Sequence, residues 1–240
     1  MLGSLRIKGI KMYSISRKIL RSLPSACPLC GLGARGGDLC AGCAQDLTEP
    51  LSDSARCERY APAYLRLVAA IDYAYPGDML IQRFKEGARL AYAGLFARLL
   101  WARLQGRASE HQAIAPLGAL VPIPSSQSAL MRRGFNPAGE LARELARLSG
   151  LPVQHTWLTR TRETTTQKTL NARARRESVA GLYVCPSAVP GVWIGLVDDV
   201  VTTGSTMQTA AMALLGAGAA GVIGLAAAHT PRAWQNAAYD

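Results

Sequence analysis

Residues Val192 to Thr206 gather the most chemically loaded side chains of the sequence into one short run. An apolar segment, Val192-Trp193-Ile194-Gly195-Leu196-Val197, ends in adjacent carboxylates at Asp198 and Asp199. Val200 and Val201 follow. Then comes a loop of hydroxyls and glycine, Thr202-Thr203-Gly204-Ser205-Thr206, leading into a helix-compatible stretch. Parallel α/β sheets bind ligands just beyond the carboxyl ends of their strands, so the two acids stand where a ligand would lie. The loop behind them can turn backbone N–H groups and hydroxyls inward at a helix N-terminus, which suits an anion. Paired carboxylates suit a vicinal diol, and the loop suits a phosphate. A diol with a phosphate one carbon away is a ribose 5-phosphate. The competing account is an ordinary strand-turn-helix whose Asp pair faces water, and the flanking loop argues against it.

A second constellation lies near the N-terminus. Cys27-Pro28-Leu29-Cys30 and Cys40-Ala41-Gly42-Cys43 are two C-x-x-C knuckles separated by nine residues that include Gly31, Gly33, Gly36 and Gly37. Each knuckle can point two thiolates at one centre, and the glycines relieve the tight backbone around it. Four thiolates complete a tetrahedral zinc site with no open position, so the expected Zn2+ is structural. Reduced thiols without metal are the alternative; disulfides would belong to a secreted chain. With no histidine nearby to act as a base, nucleophilic or redox catalysis at these thiols is not expected. A segment this small cannot build a useful apolar core, so metal binding would supply its folding energy.

Elements must position these groups, and the chain from residue 63 alternates strand-like and helix-like runs as a parallel α/β domain should. Leu67 to Tyr73 reads as an early strand. Residues 78–104 read as one or two helices broken at Gly87, and Ala119 to Pro124 as a short strand entering a loop that carries Arg133. Asn136 can cap a helix beginning at Pro137, with Leu141, Leu145 and Leu148 facing the core. Val153 to Leu158 is another strand candidate, and Val192 to Val197 the central one. Residues 200–228 carry no charge, but polar residues at their start and Gly216, Gly218 and Gly221 argue against a spanning helix. A buried helix over about 205–217 and a buried strand over about 221–228 fit better. Cys185, before Pro186, is expected at a strand end as a buried thiol.

Composition sets the outer bounds. The 240 residues are 49% hydrophobic, enough for one sizeable core and a small appendage. Twenty-seven Lys and Arg against 16 Asp and Glu give a formal charge of +11, which points to an anionic partner. The basic residues cluster in a lead over 1–24 (Arg6, Lys8, Lys11, Arg17, Lys18, Arg21) and again over 160–176. No secretory pattern is visible, so a soluble cytoplasmic protein with no membrane span is expected. The predicted organisation is a basic lead at 1–24, a zinc mini-domain and linker at 25–62, and an α/β domain at 63–240.

The run from the apolar strand through Asp198-Asp199 to Thr206 resembles the phosphoribosyl-diphosphate (PRPP) signature of the type I phosphoribosyltransferases. In order along the chain come the two knuckles, Phe84-Lys85-Glu86-Gly87, Val121-Pro122-Ile123-Pro124 and Arg133-Gly134-Phe135-Asn136. Thr164-Thr165-Thr166-Gln167 with Leu170 and Arg176 follows, and then the Asp-Asp loop. That order resembles the ComF family, which includes competence proteins and GntX-like proteins. The resemblance implies a type I phosphoribosyltransferase-like parallel sheet flanked by helices, with an N-terminal zinc knuckle. It implies that Asp198 and Asp199 hold the ribose hydroxyls and that Thr202, Thr203, Gly204, Ser205 and Thr206 wrap the 5-phosphate, with Val200 and Val201 in the same PRPP-binding run. Arg133 would face the pyrophosphate, which arrives with Mg2+, and Gln167 and Arg176 would belong to a mobile hood over 160–178. Lys85 is expected to be a solvated helix lysine.

Three departures from the family pattern stand out: Cys57 keeps only the first cysteine of a third C-x-x-C, Pro137 replaces a Gln, and Ser178 an Asn. The resemblance implies transfer of ribose 5-phosphate from PRPP, linked to DNA uptake (natural competence) or nucleotide metabolism. The alternative is a non-catalytic binder of single-stranded DNA that keeps the PRPP loop as a sensor and works with the DNA-uptake machinery. No residue stands out as acid or base for a nitrogen acceptor; His155 and His229 read as structural histidines on core strands. A transcriptional regulator ranks last, because no helix-turn-helix signal is present.

Overall fold

The computed structural model describes residues 23–48, 66–86, 90–108, 117–161 and 181–230. Two compact units are present, Met1–Asp46 and Leu47–Asp240. In the first, strands β1 (Pro24–Ala26) and β2 (Gly33–Arg35) pair antiparallel, and helix α1 (Ala41–Thr48) follows. The turn between the strands closes with Cys27 N–H donating to Leu32 O at 2.7 Å, and Gly31 sits at φ 78° there.

The second unit is built on four parallel strands: β3 (Arg66–Asp72), β4 (Leu117–Pro122), β7 (Trp193–Val201) and β8 (Gly221–His229), in spatial order β3-β8-β7-β4. Parallel sheets carry helices on both faces, so their strands read as unbroken apolar runs rather than alternating ones. Every residue of β8 and every residue from Leu67 to Ile71 is buried accordingly. Gly195 lets the strands close: a Cβ there would come within 2.8 Å of the Leu120 side chain and 2.9 Å of Leu225.

Helix α6 (Ser205–Gly216) puts Met207, Ala210, Ala211 and Leu214 onto one face of the sheet, against Leu67, Val121, Ile194 and Leu196. Helices α3 (Leu90–Ala108) and α5 (Pro137–Ser149) pack on each other, α3 against β3 and α5 against β7. A short antiparallel ribbon, β5 (Thr159–Arg160) with β6 (Tyr183–Val184), completes the domain. The α/β class expected from the sequence is the class observed. Gly87 and the residues around Cys57, where the domain boundary near 62 was expected, lie outside the described residues.

Three expectations are corrected. Val153 to Leu158 is not a strand. Val153 makes one isolated bridge to Leu120, held by Leu120 N–H to Pro152 O at 2.9 Å and Gln154 N–H to Leu120 O at 2.8 Å, and the chain then bends through His155, Thr156 and Trp157. His155 is therefore exposed, whereas His229 is buried at the end of β8. Arg133 is not in a loop but ends helix α4 (Gln127–Arg133). Ser126 Oγ caps that helix by accepting from Ala129 N–H, and Gly134 at φ 78° stops it. Cys185 is half-buried beyond β6, donating to Ser187 O at 3.1 Å, rather than enclosed in the core.

Candidate functional site

Strand β7 outruns its neighbour on one side. Its pairing with β4 ends at Pro122↔Val197, where Ile123 N–H donates to Val197 O at 2.8 Å; its pairing with β8 continues to Val201↔His229. Asp198 and Asp199 therefore lie within the strand rather than beyond it, on the stretch that passes the end of β4. Two charges are tolerated in a buried parallel strand because β8 opposes them with Ala226, Ala227 and Ala228, whose methyl groups leave room.

The loop after β7 leads directly into the N-terminus of α6. Gly204 stands at φ 74° as the N-cap of α6 and makes no side-chain cap, so the first N–H groups of the helix are left to other partners. Thr202 and Thr203 are exposed, and Ser205 and Thr206 half-buried. Thr203 Oγ1 and Ser205 Oγ lie 3.0 Å apart, and Gln208 N–H donates to Gly204 O at 2.8 Å to start the helix.

The acids are unequal. Asp198 Oδ1 accepts from Asp199 N–H at 2.8 Å, and Asp199 Oδ1 accepts from Val200 N–H at 2.8 Å. Asp199 Oδ2 forms an ion pair with Lys85 Nζ at 3.1 Å. Burial first, and then the neighbouring Asp199 carboxylate, push Asp198 well above the usual carboxylate range, while Lys85 opposes the rise.

Lys85 is thus not the solvated lysine expected. It sits at the end of helix α2 (Gly77–Glu86), whose Gly77, Leu80, Ile81 and Phe84 form one buried face. Phe84 is seated between Phe96 of α3 and Phe135, with ring centroids 5.7 and 6.1 Å away. Anchoring Phe84 fixes the last turn of α2, and that turn aims Lys85 at β7.

Phe135 belongs to the Arg133–Asn136 run, which is tied to the same sheet end through Asn136. Its Oδ1 accepts from Ala138 N–H at 3.2 Å, capping α5, and from Ser125 Oγ at 2.9 Å. Its Nδ2 donates to Ile123 O at 3.0 Å. Arg133, half-buried, is placed three residues before this clamp. Asn136→Ala removes a helix cap and leaves a partly buried carbonyl without its donor, so a loss of about 1–3 kcal/mol is expected in a urea melt.

Tyr183 and Arg160 were not singled out as site residues. Arg160 Nη1 donates to Tyr183 Oη at 3.3 Å, and its guanidinium carbon lies 5.9 Å from the ring centroid. The Tyr183 phenol is pushed up to about 12, chiefly by burial and further by the charge of Asp198, with Arg160 opposing. The ribbon carrying this pair flanks residues 162–180, so Gln167 and Arg176 lie outside the described residues. Arg160 falls in the basic cluster of the sequence, but nothing in the local pattern marks Tyr183.

In the N-terminal unit, Cys27, Cys30, Cys40 and Cys43 bring four sulfurs within 4.8 Å of one another. Cys30 Sγ and Cys40 Sγ are 3.6 Å apart. A tetrahedron with Zn–S bonds of about 2.3 Å has edges of about 3.8 Å, so the four donors fit a zinc ion. Burial raises the Cys27 thiol, but the backbone groups of Cys30, Cys40 and Leu29 outweigh it and draw it down to about 6. The neighbouring Cys30 thiol and burial push Cys43 up. A metal would relieve that crowding of like groups.

Fold and site together define a parallel α/β protein with an acid pair and a hydroxyl loop at its central strand end and a four-cysteine unit before it. No protein-family model matches the chain. It is 34% identical over 210 residues to "DNA utilization protein YhgH" of Salmonella typhimurium, covering 87% of this chain and 86% of that protein. The protein of the same name in Escherichia coli K12 is 34% identical over 209 residues, with the same coverage. "Competence protein F" of Haemophilus influenzae is 30% identical over 185 residues, covering 76% and 80%. The chain belongs to the ComF family. No helix among the described residues is long and apolar enough to cross a membrane.

Proposed function

We propose that this protein binds PRPP at the β7–α6 junction and serves DNA utilization or competence. The observation that carries the reading is the arrangement on one strand end of a carboxylate pair and a glycine-started helix N-terminus with hydroxyls around it. Asp198 and Asp199 take the ribose hydroxyls, and Thr202 to Thr206 the 5-phosphate, with Val200 and Val201 setting the spacing between them. Displacement at the anomeric carbon develops positive charge there and negative charge on the leaving pyrophosphate, as in glycosyl transfer. The chain's part would be to fix the ribose against the acids and to present cations (Arg133 and Arg176) and an amide donor (Gln167) to the pyrophosphate. Mg2+ would arrive on the pyrophosphate and neutralise its charge. The four-cysteine unit would hold a structural Zn2+.

The DNA role follows from the names of the relatives, DNA utilization and competence, together with a formal charge of +11. A second reading, in which the site only senses PRPP and the protein binds single-stranded DNA, is favoured by that charge. Aromatic residues make up only 6% of the chain, which favours phosphate-directed contact over base stacking.

Calorimetric titration of PRPP with Mg2+ into the wild type and into Asp198→Asn/Asp199→Asn tests the proposal. Saturable binding in the first and a loss of more than about 100-fold in the second is expected, since each hydrogen bond to a charged group is worth about 1.5–3 kcal/mol. Absence of binding to the folded, metal-loaded wild type overturns it and leaves the salt-dependent DNA reading.

A further inference from the structure

The geometry points to Lys85 as a positioning residue for diol recognition, acting through Asp199 rather than on the ligand's phosphate. This assignment rests on the ribose 5-phosphate reading above and goes one step into its site. Asp199 is held at both oxygens: Val200 N–H fixes Oδ1 at 2.8 Å and Lys85 Nζ fixes Oδ2 at 3.1 Å. The backbone contact alone leaves the carboxylate free to swing about its Cβ–Cγ bond, and the ammonium removes that freedom. Each carboxylate oxygen carries two lone pairs, so both oxygens keep capacity for a ligand hydroxyl after these contacts are made. Lys85 thus orients the acceptor without filling it.

Charge gives Lys85 a second effect. Two adjacent carboxylates on a strand repel, and Lys85 is the cation that pairs with one of them. With the ammonium in place the trio carries at most one net negative charge; without it, a diol would meet two uncompensated carboxylates. The other charged or titratable groups around the acids are Asp198 itself on β7, Tyr183 on β6 and its partner Arg160 on β5; Asp72 and His229 end the neighbouring strands β3 and β8. Lys85 reaches an acid oxygen directly, in its ion pair with Asp199. Its place is dictated by packing, because Phe84 is enclosed by Phe96 and Phe135.

The test compares ribose 5-phosphate with 2-deoxyribose 5-phosphate, which lacks one hydroxyl of the diol, on the metal-loaded full chain. A partly exposed ion pair contributes little to stability, so Lys85→Met is expected to fold. Lys85→Met should weaken ribose 5-phosphate by about tenfold or more, the scale of one charge-assisted hydrogen bond, and the deoxy ligand by less than about twofold. Lys85→Arg should restore most of the difference. Equal losses for both ligands would overturn the assignment, because a phosphate grip or a general loosening moves both. A carboxyl carbon NMR titration separates the premise from the inference. In Lys85→Met the Asp198 signal should titrate at higher pH than in the wild type, with Lys85→Arg between them. If neither sugar phosphate binds the wild type, the ribose 5-phosphate reading fails. If both bind but the Asp198 titration and the ligand preference are unchanged by Lys85→Met, the Lys85 assignment fails alone.

Discussion

Asp198→Asn is expected to make the protein more stable at pH 7 while weakening its hold on ribose 5-phosphate. The two effects have one origin. Asp198 is half-buried and lies beside a second carboxylate, and desolvation and that neighbouring charge both penalise its charged form. The folded state therefore binds a proton at Asp198 more tightly than the unfolded chain does, so stability falls as pH rises from the ordinary carboxylate range up to the raised value and levels off beyond it. An asparagine imitates the protonated acid: its Oδ1 can still accept from Asp199 N–H, and its amide can donate to the Asp199 carboxylate. The gain should be nil at acid pH, where wild-type Asp198 is already neutral, and should grow towards neutrality. Removing a poorly compensated, half-buried charge is worth on the order of 1–3 kcal/mol, which for a protein of this size is a rise of about 2–12 °C in melting temperature. Ribose 5-phosphate binding should drop by at least about tenfold, because a neutral amide accepts a sugar hydroxyl less well than a carboxylate. Thermal melts between pH 4 and 8 with a parallel ligand titration decide it. A variant less stable than wild type at pH 7 would mean that Asp198 is better compensated than its surroundings indicate.

The same strand shows what could be read from residue order and what could not. Its apolar run, the acid pair and the hydroxyl loop were legible because each is a local pattern with a local purpose. That β7 continues through both acids to Val201 was not, because charges ordinarily end a buried strand; the run of small alanines on β8 makes the extension possible, and that run lies two elements downstream. Helix α4 escaped notice for a different reason. It has seven residues and none of them is buried, so it carries no apolar period, and only its caps, Ser126 and Gly134, betray it. Val153 to Leu158 misled in the opposite direction, its apolar residues serving one bridge and a bend instead of a ladder. Lys85 has no signal at all within its helix. Its partner is set by the packing of Phe84, a tertiary contact to Phe96 on α3 and to Phe135 in the turn between α4 and α5.

Chelation is expected to unfold residues 23–46 altogether. Cys27 is the sole buried residue between Leu23 and Asp46, so these described residues build no apolar core to fall back on. Its strands are three residues each, joined by turns that place Gly31, Gly36 and Gly37 at positive φ, and such short elements do not persist in water unaided. What converges in the unit is the set of four sulfurs. Structural zinc contributes about 10–16 kcal/mol of apparent binding energy in small metal-folded peptides, far more than these backbone contacts can supply. Purified protein should carry one zinc per chain, and a strong chelator should collapse the amide NMR dispersion of residues 23–46. Signals of β3, β4, β7 and β8 should keep theirs, because that sheet has its own core between α6 and the α3–α5 pair. Cys43→Ser should lower zinc affinity by several orders of magnitude and reproduce the chelated spectrum without chelator. Retained dispersion in residues 23–46 after complete metal removal would contradict this account and would require another source of order for the unit.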